Sequence, residues 1–192
     1  MLAKAGSIVV IACRSNKNGA EAVAALKAEN PRANVSFTEL DLTSFSSIRK
    51  FSADYKAAGK PLHLLFNNAG VMACPKTITS EGLELQFATN HIGHFLLTKE
   101  LFSVIKGSGN SAEPARIITV SSMGNTVAPP YGIPFDDLNA DKTYDKLERY
   151  SISKLANVLF AKQLQRIIQN ERSHVVAVSL HPGVIETNLA RH

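Results

Sequence analysis

Residues 62–70 read LHLLFNNAG, a short apolar run that ends in two asparagines, an alanine and a glycine. Continuous hydrophobicity, as opposed to alternation, predicts a strand buried on both faces, as in a parallel sheet covered by helices. Similar apolar, β-rich runs occur at residues 7–13, 35–40, 116–120 and 175–180. Together with the run at 62–66, they predict a largely parallel sheet.

The segments between these runs have the composition and periodicity of helices. The predicted helices are residues 20–30, 44–57, 82–105 and 144–169. Thr43 or Ser44 is suited to cap the second of them. Alternation of strands and helices along the chain predicts an α/β fold, a Rossmann-like doubly wound parallel sheet in one domain at residues 1–192.

The composition excludes several classes of function. The 192 residues are 45% hydrophobic and 19% charged, and the net charge of +5 comes from scattered basic residues. Scattered positive charge does not predict a nucleic-acid surface. No apolar run approaches the roughly 20 residues that span a bilayer. Cys13 and Cys74 lack metal-type spacing, so we expect reduced thiols and a cytoplasmic location.

Tyr150 and Lys154 form the pattern with the clearest chemical meaning. Residues four apart lie on one face of a helix, so the phenol and the ammonium are predicted to be neighbours. A nearby positive charge favours the phenolate and brings the pKa of a tyrosine, ordinarily about 10, toward the range of an acid–base catalyst. A hydroxyl of the pair Ser121-Ser122 is suited to hold a substrate oxygen. The pattern indicates proton transfer on an alcohol or a carbonyl. The structural alternative is a half-buried tyrosine beside a solvated lysine.

Unusual residues also follow several of the predicted strands, at the sheet edge where α/β proteins bind ligands. They are Asp41 and Leu42, the run 67–70, Ser121-Ser122, and His181-Pro182-Gly183. Each alone has a structural explanation as a helix cap, a tight turn or a plain loop. Their occurrence at successive strand ends favours a ligand site.

With these motifs the chain resembles the short-chain dehydrogenase/reductase family over essentially its whole length. The motifs that carry the resemblance are Asp41-Leu42-Thr43, Asn67-Asn68-Ala69-Gly70, Asn90, Ser121-Ser122, Tyr150-x-x-x-Lys154 and Pro182-Gly183-x-x-x-Thr187. Ala12-Cys13-Arg14 and the runs 89–95 and 153–157 resemble more narrowly the retinol dehydrogenase and WW-domain oxidoreductase branch.

The resemblance implies a role for each matching residue. Tyr150 would be the acid in carbonyl reduction and the base in alcohol oxidation, and Lys154 would lower its pKa and hold the nicotinamide ribose. Ser122 would bind the substrate oxygen, with Ser121 finishing the strand. Asn90 would bend its helix and position a water in the proton relay. The implied cofactor contacts also include Asp41, Leu42, Asn68, Ala69, Gly70, Pro182, Gly183 and Thr187.

The cofactor itself is predicted from the segment that follows the run 7–13. An acidic residue at this position in the fold binds the adenosine ribose and repels a 2′-phosphate. Cys13-Arg14-Ser15-Asn16 offers no acid, and Arg14 is suited to phosphate. We therefore expect NADP(H) in preference to NAD(H). The alternative is that Arg14 is a solvated loop residue.

The chain departs from the family pattern at its beginning. The family opens with a strand and a glycine-rich turn, T-G-x-x-x-G-x-G, which carries the cofactor diphosphate at a helix N-terminus. Residues 1–6 instead resemble the last turn of the next helix, with Gly6 as its stop. The absent strand would lie between the runs 7–13 and 62–66, so we expect two unpaired strand edges there. The elements after the last strand are also short, and we expect a truncated version of the fold.

Two functions remain open at this point. The first is an NADP-dependent oxidoreductase acting on a lipophilic alcohol or carbonyl of the retinoid, steroid or aliphatic aldehyde type, with residues 128–141 shaping the substrate pocket. The alternative is a truncated, catalytically silent fragment that acts as a binding module. Family analogy suggests a homodimer. His91 and His94 lack a third ligand nearby in sequence, so we expect them to pack between helices or to line the cofactor site, and not to bind metal.

Overall fold

The computed structural model describes residues 2–183 and Leu189, with strands and helices alternating along the chain. The strands are β1 (Val9–Cys13), β2 (Val35–Glu39), β3 (Leu64–Asn67), β4 (Ala115–Val120) and β5 (Val175–Leu180). The helices are α1 (Asn16–Glu29), α2 (Phe45–Ala57), α3 (Leu85–Phe87), α4 (Gly93–Ser108) and α5 (Lys146–Asn170). Single 3-10 turns lie at Leu2–Ala5 and Met123–Val127.

Serine and aspartate side chains begin three of the helices. Ser44 Oγ accepts a hydrogen bond from the Ser47 amide at the start of α2, and Asp145 caps α5 in the same way. Helix α1 begins at Asn16, four residues before the predicted start. Ser15 caps it, and Gly19 packs directly against the ring of Phe37, so a cap and a tertiary contact overcome the poor helix propensity of this polar turn.

The predicted helix at 82–105 is a composite. It consists of α3, a π-helical turn at Ala88–Ile92, and α4. Glu84 caps its beginning, because its carboxylate accepts from the amides of Gln86 and Phe87. Gly93, the first residue of α4, packs against the backbone carbonyl of Leu42 so closely that a β-carbon would collide with it. The π turn therefore coincides with a close approach of the helix to the segment after β2.

The strands form two separate parallel sheets. Strand β1 pairs with β2, while β3, β4 and β5 form the second sheet in that order. Among residues 2–183, β1 and β3 share no ladder, so each has an edge without a strand partner. This agrees with the prediction that the runs 7–13 and 62–66 have unpaired edges facing the position of an absent strand. The fold is a truncated α/β Rossmann fold.

Residues 2–7 form the predicted helix end. The Ser7 amide bonds the carbonyl of Leu2 at 3.2 Å and the Gly6 amide bonds that of Ala3 at 3.3 Å. These are the two hydrogen bonds of a Schellman motif. Gly6 has a φ of +85°, a conformation that favours glycine, and it therefore acts as the stop expected from the sequence.

The main core lies on one face of the three-stranded sheet. Leu65, Ile117 and Ala177 point from β3, β4 and β5 into it, where α4 and α5 cover the strands and α2 packs against α4. Its buried members are Leu40, Leu42, Ile48, Phe51, Leu65, Leu97, Leu101, Ile105, Ala115, Ile117, Leu164, Ile168, Val175 and Ala177.

The opposite face of this sheet is partly open. Phe66, Ile118 and Val178 are aligned across β3, β4 and β5, and the two outer residues are 45% and 41% exposed. The prediction that these strands are buried on both faces is therefore wrong for this face within residues 2–183. A continuous apolar run predicts a hydrophobic strand, but it does not show whether another element covers each face of that strand. No helix in the described part of the chain is long and apolar enough to cross a membrane.

Candidate active site

Tyr150 and Lys154 lie on the buried face of α5, as their spacing predicts. The Lys154 ammonium is 5.6 Å from the centroid of the Tyr150 ring. The two residues are only 5% and 3% exposed. The alternative of a half-buried tyrosine beside a solvated lysine is therefore wrong. The helix holds a phenol and an ammonium as neighbours inside the protein.

The end of β4 is joined to α5 at this pair. Ser121 Oγ donates a hydrogen bond to the Lys154 carbonyl at 2.8 Å. In the opposite direction, Lys154 Nζ donates to the Val120 carbonyl at 3.2 Å. The end of β4 and the helix thus exchange hydrogen bonds, and Ser121, directly after the last residue of β4, links the two elements.

Ser122 lies beside Tyr150 with its side chain at the start of a 3-10 turn. Its Oγ accepts from the Gly124 amide at 3.1 Å. A β-carbon on Gly124 would lie 3.2 Å from Cε1 of Tyr150 and 3.6 Å from Ser122 Oγ. Because Gly124 has no side chain, the space between the Ser122 hydroxyl and the Tyr150 ring stays free. In the sequence, the feature that marks Gly124 is its position two residues after Ser122.

Asn90 connects three elements around the pair. Its Oδ1 accepts from the Val71 amide at 2.8 Å, and its Nδ2 donates to the Val71 carbonyl at 2.9 Å and to Ser153 Oγ at 3.0 Å. Ser153 Oγ in turn donates to the Tyr150 carbonyl at 2.7 Å. Asn90 lies in the π turn, where the regular α-helical pattern of this segment is interrupted. The backbone carbonyl of Asn90 lies 3.1 Å from His94 Nδ1.

The loop after β3 approaches the lysine at Gly70. A β-carbon on Gly70 would lie 3.0 Å from Asn90 Oδ1 and 3.6 Å from Lys154 Nζ. Asn68 and Ala69, which precede it, are exposed. The loop therefore presents an open backbone surface next to the ammonium.

Burial dominates the electrostatics of this cluster. It lowers the pKa of Lys154 to about 8 and that of His94 to about 4. Burial also lowers the pKa of His91. None of the ion pairs among residues 2–183 involves Lys154. The site therefore holds a buried cation whose charge is available to a phenolate or to a bound ligand.

The other predicted cofactor residues lie away from the pair. Asp41 accepts from the amide and the hydroxyl of Thr43 at 2.8 and 2.7 Å, so its carboxylate supports the turn into α2. Leu42 is buried against Gly93. Arg14 is exposed at the end of β1. Pro182 and Gly183 are exposed after β5, and Thr187 lies outside the described residues.

Asn157, for which the sequence predicted no role, and His91 also contact this cluster. Asn157 Nδ2 donates to the Val120 carbonyl at 3.1 Å, beside Lys154 Nζ. Its Oδ1 pairs with His91 Nδ1 at 3.1 Å. Asn157 could have been identified from the sequence by its spacing of three residues from Lys154, because this spacing places both residues on the same helix face. His91 packs in the fold, as expected.

Known proteins with similar sequences share one family. The family model described as short chain dehydrogenase matches residues 1–135. The chain is 41% identical over 193 residues to the short-chain dehydrogenase TIC 32 B, chloroplastic, of Brassica napus, covering 100% of this chain and 60% of that protein. It is 40% identical over 191 residues to human retinol dehydrogenase 12, covering 100% of this chain and 58% of that protein. The chain therefore spans somewhat more than half the length of these relatives.

Solved structures extend the comparison to the fold. A crystal structure of an uncharacterized protein from Mycobacterium paratuberculosis has a TM-score of 0.80 and 38% identity, covering 98% of this chain and 63% of that one. An NADP complex of Pseudomonas aeruginosa RhlG has a TM-score of 0.75 at 22% identity, covering 100% and 68%. A Burkholderia phymatum short-chain dehydrogenase in complex with NAD has a TM-score of 0.71 at 22% identity, covering 94% and 58%. These last two likenesses concern the fold alone.

Proposed function

Because the chain belongs to the short-chain dehydrogenase/reductase family, in its retinol dehydrogenase-like branch, we propose that it is an NADP-dependent oxidoreductase of lipophilic alcohols and carbonyls. The observation that carries the proposal is the buried Lys154 ammonium beside the Tyr150 ring, with no ion pair to it in the described part of the chain. Such a cation stabilises negative charge on a phenol at the moment it gives up its proton.

The residues around Lys154 fit the ribose end of a nicotinamide cofactor. Gly70 leaves free the space next to Nζ that a β-carbon would enter. An ammonium has three N–H groups, and within residues 2–183 Lys154 donates to the Val120 carbonyl. The remaining N–H groups are suited to ribose hydroxyls. When bound, the cofactor supplies or accepts the hydride.

The chain's own residues would handle the proton. In carbonyl reduction, the Tyr150 hydroxyl gives its proton to the substrate oxygen as the carbonyl carbon receives hydride, and the product is an alcohol. In the reverse direction, the phenolate takes the proton of the alcohol. Ser122 Oγ, beside Tyr150 across Gly124, donates to the same oxygen and fixes its position. Lys154 stabilises the phenolate in both directions.

The surface after Ser122 supports a lipophilic substrate. Met123, Val127, Tyr131 and Phe135 expose 63%, 72%, 61% and 80% of their surface. Tyr131 is held in place, since its hydroxyl donates to Glu148 at 2.6 Å. Large exposed apolar side chains following a catalytic hydroxyl are typical of a surface that binds an apolar ligand.

Arg14 supports NADP over NAD. It is exposed at the end of β1, next to Ser15, which caps α1. The first turn of α1 holds no acidic residue, and Lys17 lies in it. A guanidinium next to a helix N-terminus is suited to a phosphate. Arg14→Ala is expected to weaken NADPH binding about 10-fold or more and to leave NADH binding unchanged. Equal losses for both cofactors would contradict this preference.

A catalytically silent binding module is the second candidate. The observation in its favour is the divided sheet, with unpaired edges on β1 and β3 and an open apolar face at Phe66 and Val178. Oxidation of NADPH in the presence of a panel of retinoid, steroid and aliphatic carbonyls distinguishes the two. Turnover that is lost in Tyr150→Phe supports the oxidoreductase. Absence of both turnover and NADPH binding supports the binding module.

A further inference from the structure

The carbonyl of Val120, the last residue of β4, has two donors from α5. Lys154 Nζ donates to it at 3.2 Å and Asn157 Nδ2 at 3.1 Å. Lys154 and Asn157 are three residues apart and therefore lie on the same face of the helix. A carbonyl oxygen has two lone pairs, so these two donors use its full capacity. The amide of Asn157 thus helps to fix the acceptor on which the ammonium rests.

Asn157 is itself held by His91. It is 1% exposed, and its Oδ1 lies 3.1 Å from His91 Nδ1. Because the Asn157 amide nitrogen donates to Val120, its oxygen is the acceptor in this second bond. Nδ1 of His91 therefore carries the proton. Burial lowers the pKa of His91, which keeps the ring neutral at physiological pH.

The His91 ring has little freedom to move. Its centroid lies 5.3 Å from that of Phe87, 6.1 Å from that of Phe160 and 6.3 Å from that of Phe95. These rings come from α3, α4 and α5, so the imidazole is fixed by the packing of several helical segments. The orientation of the Asn157 amide follows from that of the imidazole.

We propose that Asn157, oriented by His91, is a positioning residue that holds the Lys154 ammonium against Tyr150 through the shared Val120 carbonyl. Its catalytic consequence rests on the proposed oxidoreductase function, whereas its effect on Lys154, through the Val120 carbonyl that both side chains bind, is measurable without turnover. The other titratable groups of this cluster are His91 and His94, which interact electrostatically with each other; His94 also interacts with Lys154.

Asn157→Asp is the decisive variant. The aspartate is nearly the same size and still accepts from His91, but it cannot donate to Val120, and it places a carboxylate near Lys154. Titration of Lys154 by NMR of its ¹³Cε atom is expected to show a raised pKa.

The value of kcat in Asn157→Asp is expected to fall about 10-fold or more at every pH because the ammonium is displaced. If Lys154 acted through charge alone, a raised pKa would preserve activity at alkaline pH. A retained kcat, or an unchanged titration of Lys154, would overturn the proposal.

A second pair of variants separates positioning from general destabilisation. His91→Phe keeps an aromatic ring among the three phenylalanines and removes the donor to Asn157. We expect it to lower kcat with little change in the KM for cofactor, and to have no further effect in an Asn157→Ala background. Gln165→Ala is the matched control, since Gln165 lies on the same helix and its Oε1 accepts from the Ala177 amide at 2.7 Å.

Gln165→Ala is expected to lower stability while leaving kcat and the Lys154 titration unchanged. Equal effects of Gln165→Ala and Asn157→Ala on kcat would contradict a positioning role. If the wild-type chain shows no turnover, that result counts against the proposed function. The Lys154 titration in Asn157→Ala, compared with that in Gln165→Ala, then decides this proposal: a shift confined to Asn157→Ala supports it, and an unchanged titration overturns it.

Discussion

Asn90 and Ser153 are joined by a buried hydrogen bond, 3.0 Å from Asn90 Nδ2 to Ser153 Oγ. Through it, the π-helical turn at Ala88–Ile92 is tied to the helix that carries Tyr150 and Lys154. The same asparagine bonds both backbone groups of Val71. One side chain therefore fixes the relative positions of the loop after β3, the π turn and α5.

Replacement of Asn90 is expected to be costly for that reason. Asn90→Ala leaves the amide and carbonyl of Val71 and the hydroxyl of Ser153 without their partner. We expect the free energy of unfolding to fall by about 2–4 kcal/mol. Chemical denaturation measures this change. Asn16→Ala, which removes an exposed bond to Glu39, is the control and is expected to cost under about 0.5 kcal/mol. Similar losses for the two variants would contradict the role assigned to Asn90.

Lys154→Met is expected to stabilise the fold at neutral pH while abolishing activity. Burial lowers the pKa of Lys154 from 10.5 to about 8, so between these values the unfolded chain binds more protons than the folded one. The stability of the wild type should therefore rise with pH through this window. The variant loses that dependence and should be about 1–3 kcal/mol more stable below pH 8. Its Val120 carbonyl keeps a donor in Asn157.

Thermal unfolding of the wild type and Lys154→Met between pH 6 and pH 10 tests this account. Convergence of the two stabilities as pH rises is the expected result. If the variant were less stable than the wild type at pH 7, or if the two pH profiles were parallel, burial would not destabilise the charged form of Lys154.

His94 gives a pH dependence on the acid side. Burial lowers its pKa from 6.5 to about 4, so the unfolded chain gains a proton before the folded one as pH falls. The contribution of the neutral ring to stability is present above pH 6.5 and is lost as the pH falls toward 4. His94→Asn, which keeps a donor for the Asn90 carbonyl, should reduce the acid sensitivity. Acid unfolding profiles of wild type and variant that differ only by a constant offset would contradict this assignment.

The two helical glycines of α4 offer a matched test of close packing. Gly93 lies against the Leu42 carbonyl, with no room for a β-carbon, whereas a β-carbon on Gly107 would meet nothing within 4 Å. Gly107→Ala is expected to stabilise the protein by about 0.5–1 kcal/mol, through helix propensity. Gly93→Ala should destabilise it by about 1–3 kcal/mol, because Leu42 must move. If denaturant titrations showed that Gly93→Ala and Gly107→Ala raise the free energy of unfolding equally, α4 would not be in close contact with Leu42 at Gly93.

The strands and the acid–base pair could be predicted from the sequence, because both depend on local patterns. Apolar runs located each strand of residues 2–183 to within about two residues. The spacing of Tyr150 and Lys154 placed their side chains together. These features depend on residues close to one another in the chain.

Features that depend on distant backbone groups could not be predicted in this way. The π turn coincides with the contact of Gly93 with the Leu42 carbonyl and with the bonds between Asn90 and Val71. The environment of Asn157 depends on the carbonyl of Val120, and residue types do not reveal which carbonyl a side chain will meet. The open face at Phe66 and Val178 likewise depends on which elements pack there.

Transfer of deuterium from NADPH labelled at nicotinamide C4 to a carbonyl substrate tests the central claim most directly. Mass spectrometry of the alcohol product detects the label at the former carbonyl carbon even when turnover is slow. With a lipophilic aldehyde or retinoid we expect a labelled alcohol from the wild-type protein, and at least about 100-fold less from Tyr150→Phe, which lacks the proton donor. An unlabelled product, or the same labelled yield from Tyr150→Phe, would contradict the assignment of Tyr150 and Lys154 as the proton-transfer pair of a nicotinamide-dependent oxidoreductase.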